Sequence, residues 1–214
     1  MPTLNILNSG LVDYQQALEQ QLQWVNARKS DELCDLLWLL SHPKVITLGA
    51  SRTSRDNLLK ETEIPVIKIS RGGDITYHDE GQLTGYFIFQ LEKRERDLHR
   101  FLWSIEQSVI DCLNDFNIDA HRVAGKTGVF VSEKKVCSIG IACRHWVTYH
   151  GFSINFNSNL ENYELMNPCG YNSELMANLP KVSMFDFRHR IGRHVAKITN
   201  RSLGSTTDYE SLSI

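Results

Sequence analysis

The stretch "GKTGVFVSEKKVCSIGIACRHWVTYHGFSINF" (125–156) decides the fold class. It holds three strand-like runs, "GVFV" (128–131), "VCSIGIAC" (136–143) and "WVTYHGFSINF" (146–156), rich in β-branched, aromatic and apolar residues. Only "SEKK" and "RH" separate them, so no helix fits between successive strands. Working outward, Leu98, Phe101, Leu102, Ile105, Val109, Leu113 and Phe116 recur at helical spacing just upstream. Before them lie strand candidates at "LCDLLWLL" (33–40), "VITLG" (45–49), "IPVIKIS" (64–70) and "GYFIFQL" (85–91). A first amphipathic helix spans 11–29 through Leu11, Tyr14, Leu18, Leu22 and Val25. A short helix is expected at 172–179, a last one at 186–201, and a frayed polar tail from about 203 to 214. Helices flanking clustered strands without regular βαβ alternation predict a mixed-sheet α/β (α+β) single domain over residues 1–214.

The totals agree with one sizeable core. The chain has 214 residues, 42% of them hydrophobic and 22% charged, with no linker-like segment dividing them. A net charge of −2 argues against nucleic acid or an anionic membrane as partner. No apolar run is long enough to span a bilayer, and the N-terminus has no signal-peptide pattern. Five cysteines at irregular spacings argue against a disulfide framework and for a reducing, cytoplasmic setting. Cys137, Cys143, His145 and His150 lack close paired ligand spacing, so no metal site is expected.

Three segments carry more polar and side-chain-free positions than packing asks for. The first, "SRGGDITYHDEGQ" (70–82), ends a strand with an arginine, two glycines and a Thr-Tyr-His triplet. The second is "KKVCSIG" (134–140), in which Ser138 and Gly140 mark a place where backbone comes close to something. Taken alone, its lysines read as the solvated tip of a hairpin, and spacing does not choose between Lys134 and Lys135 as a functional one. The third is "MNPCGYNSE" (166–174). Pro168 and Gly170 fit a tight turn that would hold the Cys169 thiol ahead of a helical stretch, where its pKa falls. A plain turn cysteine is the alternative. His78 and His150 each close a "TYH" triplet and suit either substrate orientation or a hydrogen-bonded structural role.

Together "RGGDITYHDEGQLTGY" (71–86), "KKVCSIGIACRHWVTYHGFSIN" (134–155) and "NPCGY" (167–171) resemble the octanoyltransferases of lipoate biosynthesis. The resemblance runs from the N-terminal helix to about residue 180. It implies the fold of the catalytic domains of lipoate and biotin protein ligases. It also implies transfer of an octanoyl group from octanoyl-acyl carrier protein to a lysine of lipoyl domains, those of 2-oxoacid dehydrogenase complexes and the glycine cleavage H protein. By the same resemblance Cys169 matches the acyl-accepting cysteine and Lys135 the lysine that favours its thiolate. Arg71, Gly72, Gly73, Asp74, Ile75, Thr76, Tyr77 and His78 match one part of the acyl site. Ser138, Ile139 and Gly140 match a second, and Gly151, Phe152 and Ser153 a third. No cofactor is implied, and a monomer is expected. Glycines 72 and 73 would let the backbone approach the acyl chain.

One departure stands out. The family's Tyr-His-Gly-Pro-Gly-Gln is here Tyr77-His78-Asp79-Glu80-Gly81-Gln82, and Tyr-His-Asp-x-Gly is the pattern of ATP-dependent lipoate–protein ligases. The rival readings are therefore such a ligase and a non-catalytic acyl- or lipoyl-binding homologue. The basic stretch 187–201, with Arg188, Arg190, Arg193, Lys197 and Arg201, is either a docking face for an acidic carrier or a solvated helix.

Overall fold

The computed structural model describes residues 1–167 and 175–209. The expected meander forms as β8 (Lys126–Val131), β9 (Lys134–Arg144) and β10 (Val147–Asn155), successive strands pairing antiparallel. They belong to a large sheet with β1 (Thr3–Leu11), β2 (Asp35–Ser41), β6 (Gln82–Ile88), β7 (Ala120–Val123) and β11 (Ser202–Tyr209). The strand order is β11-β1-β2-β6-β10-β9-β8-β7. Strand β1 runs parallel to both β11 and β2, and the remaining pairs are antiparallel, so the sheet is mixed. A smaller sheet joins β3 (Val45–Leu48) to β4 (Val66–Lys68) and β5 (Ile75–His78).

Both faces of the large sheet are covered, which is why β2 and β10 are buried along their whole lengths. Alternate residues of β2 go to opposite cores. Leu37 and Leu39 join Phe87, Phe152 and Ile154 beneath α2 (Leu98–Asn114) and α3 (Met184–Ile198). Leu36, Trp38 and Leu40 pack on the other face with Ala17 and Val25 of α1 (Tyr14–Lys29). Each helix start is set by a side chain that accepts an otherwise unpaired N–H. Asp13 takes Gln15 N and Gln16 N, Asp97 takes Arg100 N, and Ser183 takes Asp186 N. The first helix thus begins at Tyr14 rather than Leu11.

Three expectations need correction. Residues 203–209, expected as frayed tail, belong to β11 (Ser202–Tyr209), whose register on β1 runs from Thr3↔Ser202 to Ser9↔Tyr209. Its polar side chains suit an exposed edge strand, and the pairing partner lies two hundred residues away in the chain. Strand β1 itself was missed, although its burial alternates through Leu4 and Ile6. The helix expected at 172–179 falls partly on residues outside those described, and 177–179 are not helical.

The basic stretch does not form one docking face. Arg201 is buried and clasps Asp35 and Glu95, with its guanidinium 5.0 Å from the Phe89 ring. Arg193 pairs with Asp115, and Arg190 lies over Phe116. Asp35, fully buried, accepts from Arg28 Nε, Arg201 Nε and Gln90 N, and so ties α1, β2 and the end of α3 together. No helix among the described residues is long and apolar enough to cross a membrane.

Candidate active site

The Arg71–Asp74 segment is held on two sides by backbone. Ala50 N donates to Arg71 O, Ser51 N to Gly73 O and Gly49 N to Asp74 O, fixing the segment to the chain after β3. On the other side Gly72 N donates to Ile141 O at 2.8 Å, docking it on β9. Side chains would prevent this. A Cβ on Gly140 would lie 2.6 Å from Gly72 O, and Gly73 has φ +87. The glycines of "RGG" therefore serve first to pack the loop between two strands; Gly73 also borders the cavity, while Gly72 faces an adjoining cleft. Arg71 is buried, its Nη2 donating to Thr47 O at 3.0 Å and to Thr47 Oγ1 at 2.9 Å. Asp74 accepts from Ile75 N and from Asn57 Nδ2, joining this loop to residues 51–57.

Strands β9 and β10 form the opposite wall. Their register places Gly151 across from Gly140, Phe152 from Ile139 and Ser153 from Ser138. A Cβ on Gly151 would sit 2.0 Å from Gly85 O and 2.6 Å from the Phe87 ring, so the strand crossing itself demands glycine. Between the walls lies a narrow cavity of about 40 Å³, continuous in its lining with a cleft of about 310 Å³. Gly73, Asp74, Lys135, Ile139 and Gly140 border both. Thr76, His78, Ser138, Gly151, Phe152 and Ser153, together with Arg71 and Ile75, complete the sequence-predicted lining of the inner cavity.

Lys135 is 4% exposed, so its side chain is committed to this interior. Its side chain lies against the Cα of Gly128, where a Cβ would come within 2.6 Å of Cε and 3.3 Å of Nζ. On the same glycine, Gly128 N donates to Glu106 Oε1 at 2.9 Å, and Arg122 pairs with Glu106 Oε2. A buried carboxylate is thus the lysine's near neighbour, a residue the sequence reading did not single out. The Lys135 backbone also anchors the chain after residue 174. It bridges Met176, and Lys135 O accepts from Ala177 N. On the near side, Asn167 N donates to Asn57 O and Met166 bridges Leu58. Cys169 lies outside the described residues, between these two anchors in sequence.

The inner end of the cavity is a cluster of buried rings that sequence spacing did not bring together. Tyr14, His78, Tyr86 and His150 line it, and His42 packs among them with centroids 4.9 Å from Tyr14 and 5.7 Å from His78. His42 is satisfied by Val12 O and the Tyr86 hydroxyl, each at 2.7 Å. Loss of solvent pushes its pKa down to about 4. Burial, with Arg71 nearby, takes His150 down to about 3, and His78 falls well below its ordinary value mainly through burial. All three rings are therefore neutral at pH 7. His150 adopts φ +61, and its backbone N–H is held by Gln21 Oε1 of α1 at 2.8 Å. Tyr14 and Tyr86 were read as ordinary helix and strand residues; nothing local distinguishes them.

Tyr77 does not reach the cavity. On β5 it alternates to the other face, stacks edge-on with Tyr163 and accepts from Asn162 through its hydroxyl. The Asp79 departure has a structural use. Its buried carboxylate accepts from Ser158 Oγ, Asn159 N and Gly81 N, and Gly81 is pressed against the Asn157 carbonyl. Asp79 is thus a loop anchor, and it does not border the cavity.

A mixed sheet with this glycine-built crossing defines a fold class, and comparison with known proteins agrees. Residues 13–195 match the lipoyl protein ligase A/B catalytic domain, and the chain belongs to that family. A lipoate-protein ligase A solved with ATP bound superposes with a TM-score of 0.73 at 15% identity, covering 97% of this chain and 90% of that one. Biotin protein ligase from Aquifex aeolicus shares the fold more distantly, with a TM-score of 0.53 at 12% identity over 94% of this chain and 70% of its own. Within the family, the octanoyltransferase of Solibacter usitatus is 39% identical over 88% of this chain and 90% of its own length. That of Caldicellulosiruptor bescii is 37% identical over 94% and 93%. Octanoyltransferases are acyltransferases.

Proposed function

We propose that this chain transfers an octanoyl group from acyl carrier protein to a lipoyl-domain lysine through a thioester on Cys169. The observation that carries the reading is the convergence of Lys135, the Arg71–His78 segment and the β9–β10 glycine crossing on one cavity. The likeness to octanoyltransferases over most of the chain supports the substrate class.

In the first half-reaction the Cys169 thiolate attacks the thioester carbonyl, a new thioester forms, and the carrier's thiol departs with a proton. In the second, the neutral lysine amine of the lipoyl domain attacks that thioester. An amide forms, Cys169 is freed as its thiolate, and the amine's proton passes to a base. Thioester-to-thioester exchange is nearly balanced and thioester to amide runs downhill, so no ATP is consumed. Lys135 serves as the cation beside the thiolate, gives its proton to the departing carrier thiol, and as the neutral amine then accepts one from the attacking lysine. The neutral histidine and tyrosine rings line the same cavity as Lys135.

The test is intact-mass spectrometry and peptide mapping after mixing the protein with octanoyl-acyl carrier protein, without ATP. One octanoyl group on Cys169, discharged when a lipoyl domain is added, is the expected result. Cys169→Ala gives neither adduct nor turnover while melting like wild type. Transfer that begins only when ATP and free octanoate or lipoate are supplied would instead make this chain a ligase.

A further inference from the structure

From a groove on the turn that follows β3 we infer that an acidic acyl-carrier protein docks there, an inference that rests on the transfer reading above. The groove, about 430 Å³, is lined by Ser51, Arg52, Ser54, Arg55, Val66 and Lys68 among others, and its lining holds no carboxylate. Arg52, Arg55 and Lys68 are exposed, and none makes an ion pair among the described residues. The chain as a whole carries a net charge of −2, so three uncompensated cations around one concavity are a local concentration of charge. By contrast, the cations of α3 and beyond are largely spent within the protein, on Asp115, Asp35, Glu95 and the Phe116 ring.

The position of the groove is what gives the charge a use. Ser51 borders both it and the cleft that Lys135 lines. The same turn holds Met166 and Asn167, through Asn57 O on Asn167 N and the Leu58–Met166 bridge. Asn57 also holds Asp74 of the cavity wall. A partner seated on Arg52 and Arg55 therefore stands at the edge of the candidate site, where a thioester on a flexible arm enters. Charge complementarity selects an acidic partner, and such a contact acts mainly on encounter and is weakened by salt.

The test is steady-state transfer with the variant R52E/R55E, whose replaced side chains make no bond among the described residues. Two donors are compared, octanoyl-acyl carrier protein and the uncharged octanoyl-pantetheine, with a lipoyl domain as acceptor. The expected result is a roughly tenfold higher KM for the carrier at low ionic strength, with that KM no longer rising with salt. Transfer from octanoyl-pantetheine and the KM for the lipoyl domain stay at wild-type values. An unchanged carrier KM overturns the docking site while leaving the transferase standing. A higher KM for the lipoyl domain instead assigns the groove to the acceptor and also overturns it. Wild-type protein that transfers from neither donor overturns the function and the docking site together.

Discussion

Acidification between pH 7 and pH 5 should destabilise this protein through its buried histidines before its carboxylates titrate. His42 and His150 have pKa values of about 4 and about 3 in the folded state, against 6.5 for an ordinary histidine. Because the folded pKa is depressed, the unfolded chain binds protons that the native state refuses. Stability is thus complete above pH 6.5 and falls as pH drops towards the folded pKa. At pH 5 each of the two contributes a loss of about 2 kcal/mol, about 4 kcal/mol together, and His78 acts in the same direction. For a chain of this size that lowers Tm by roughly 8–16 °C. Thermal melts followed by circular dichroism at pH 7, 6 and 5 measure it. His150→Asn, which tolerates the positive φ, should remove about half of the loss assigned to these two rings. A Tm that stays constant from pH 7 to 5, or falls equally in wild type and His150→Asn, would refute the neutral buried cluster.

Gly140→Ala should lower transfer at least tenfold while leaving a folded protein. The added methyl would sit 2.6 Å from Gly72 O, pushing the Arg71–Asp74 segment off β9 at a cost of about 1–3 kcal/mol. Wild-type kinetics with Gly140→Ala would mean that this crossing does not set the cavity. Asp35→Ala removes the acceptor shared by Arg28, Arg201 and Gln90 N and leaves each buried guanidinium with one carboxylate partner, Asp31 or Glu95. It should cost about 3–5 kcal/mol in urea unfolding, and a loss below about 1 kcal/mol would contradict the network. Lys135→Ala should slow iodoacetamide alkylation of Cys169 at pH 7; an unchanged rate would remove the lysine from thiolate stabilisation.

What the chain states locally was enough for most of its helices and for the central strands. The runs at 128–131, 136–143 and 146–156, with links too short for a helix, announce β8–β10, and the 3.6-residue periodicity of Leu98 to Phe116 announces α2. Helix starts were placed less closely, since the helices expected from 11 and 186 begin at Tyr14 and Met184, where Asp13 and Ser183 cap them. The glycine-rich blocks were legible as places of close backbone approach, since a missing Cβ is visible in any sequence. What each glycine approaches was decided by tertiary structure alone. Gly140 faces Gly72 O across nearly seventy residues, and Gly151 faces Gly85 O. The same holds for Tyr14, His42, Tyr86 and Glu106, which belong to the site only because α1, β2, β6 and α2 pack around β9 and β10. Strand β11 is the extreme case. Its polar sequence has no apolar face to declare it, and its order comes from backbone hydrogen bonds to β1, which only the folded sheet brings within reach.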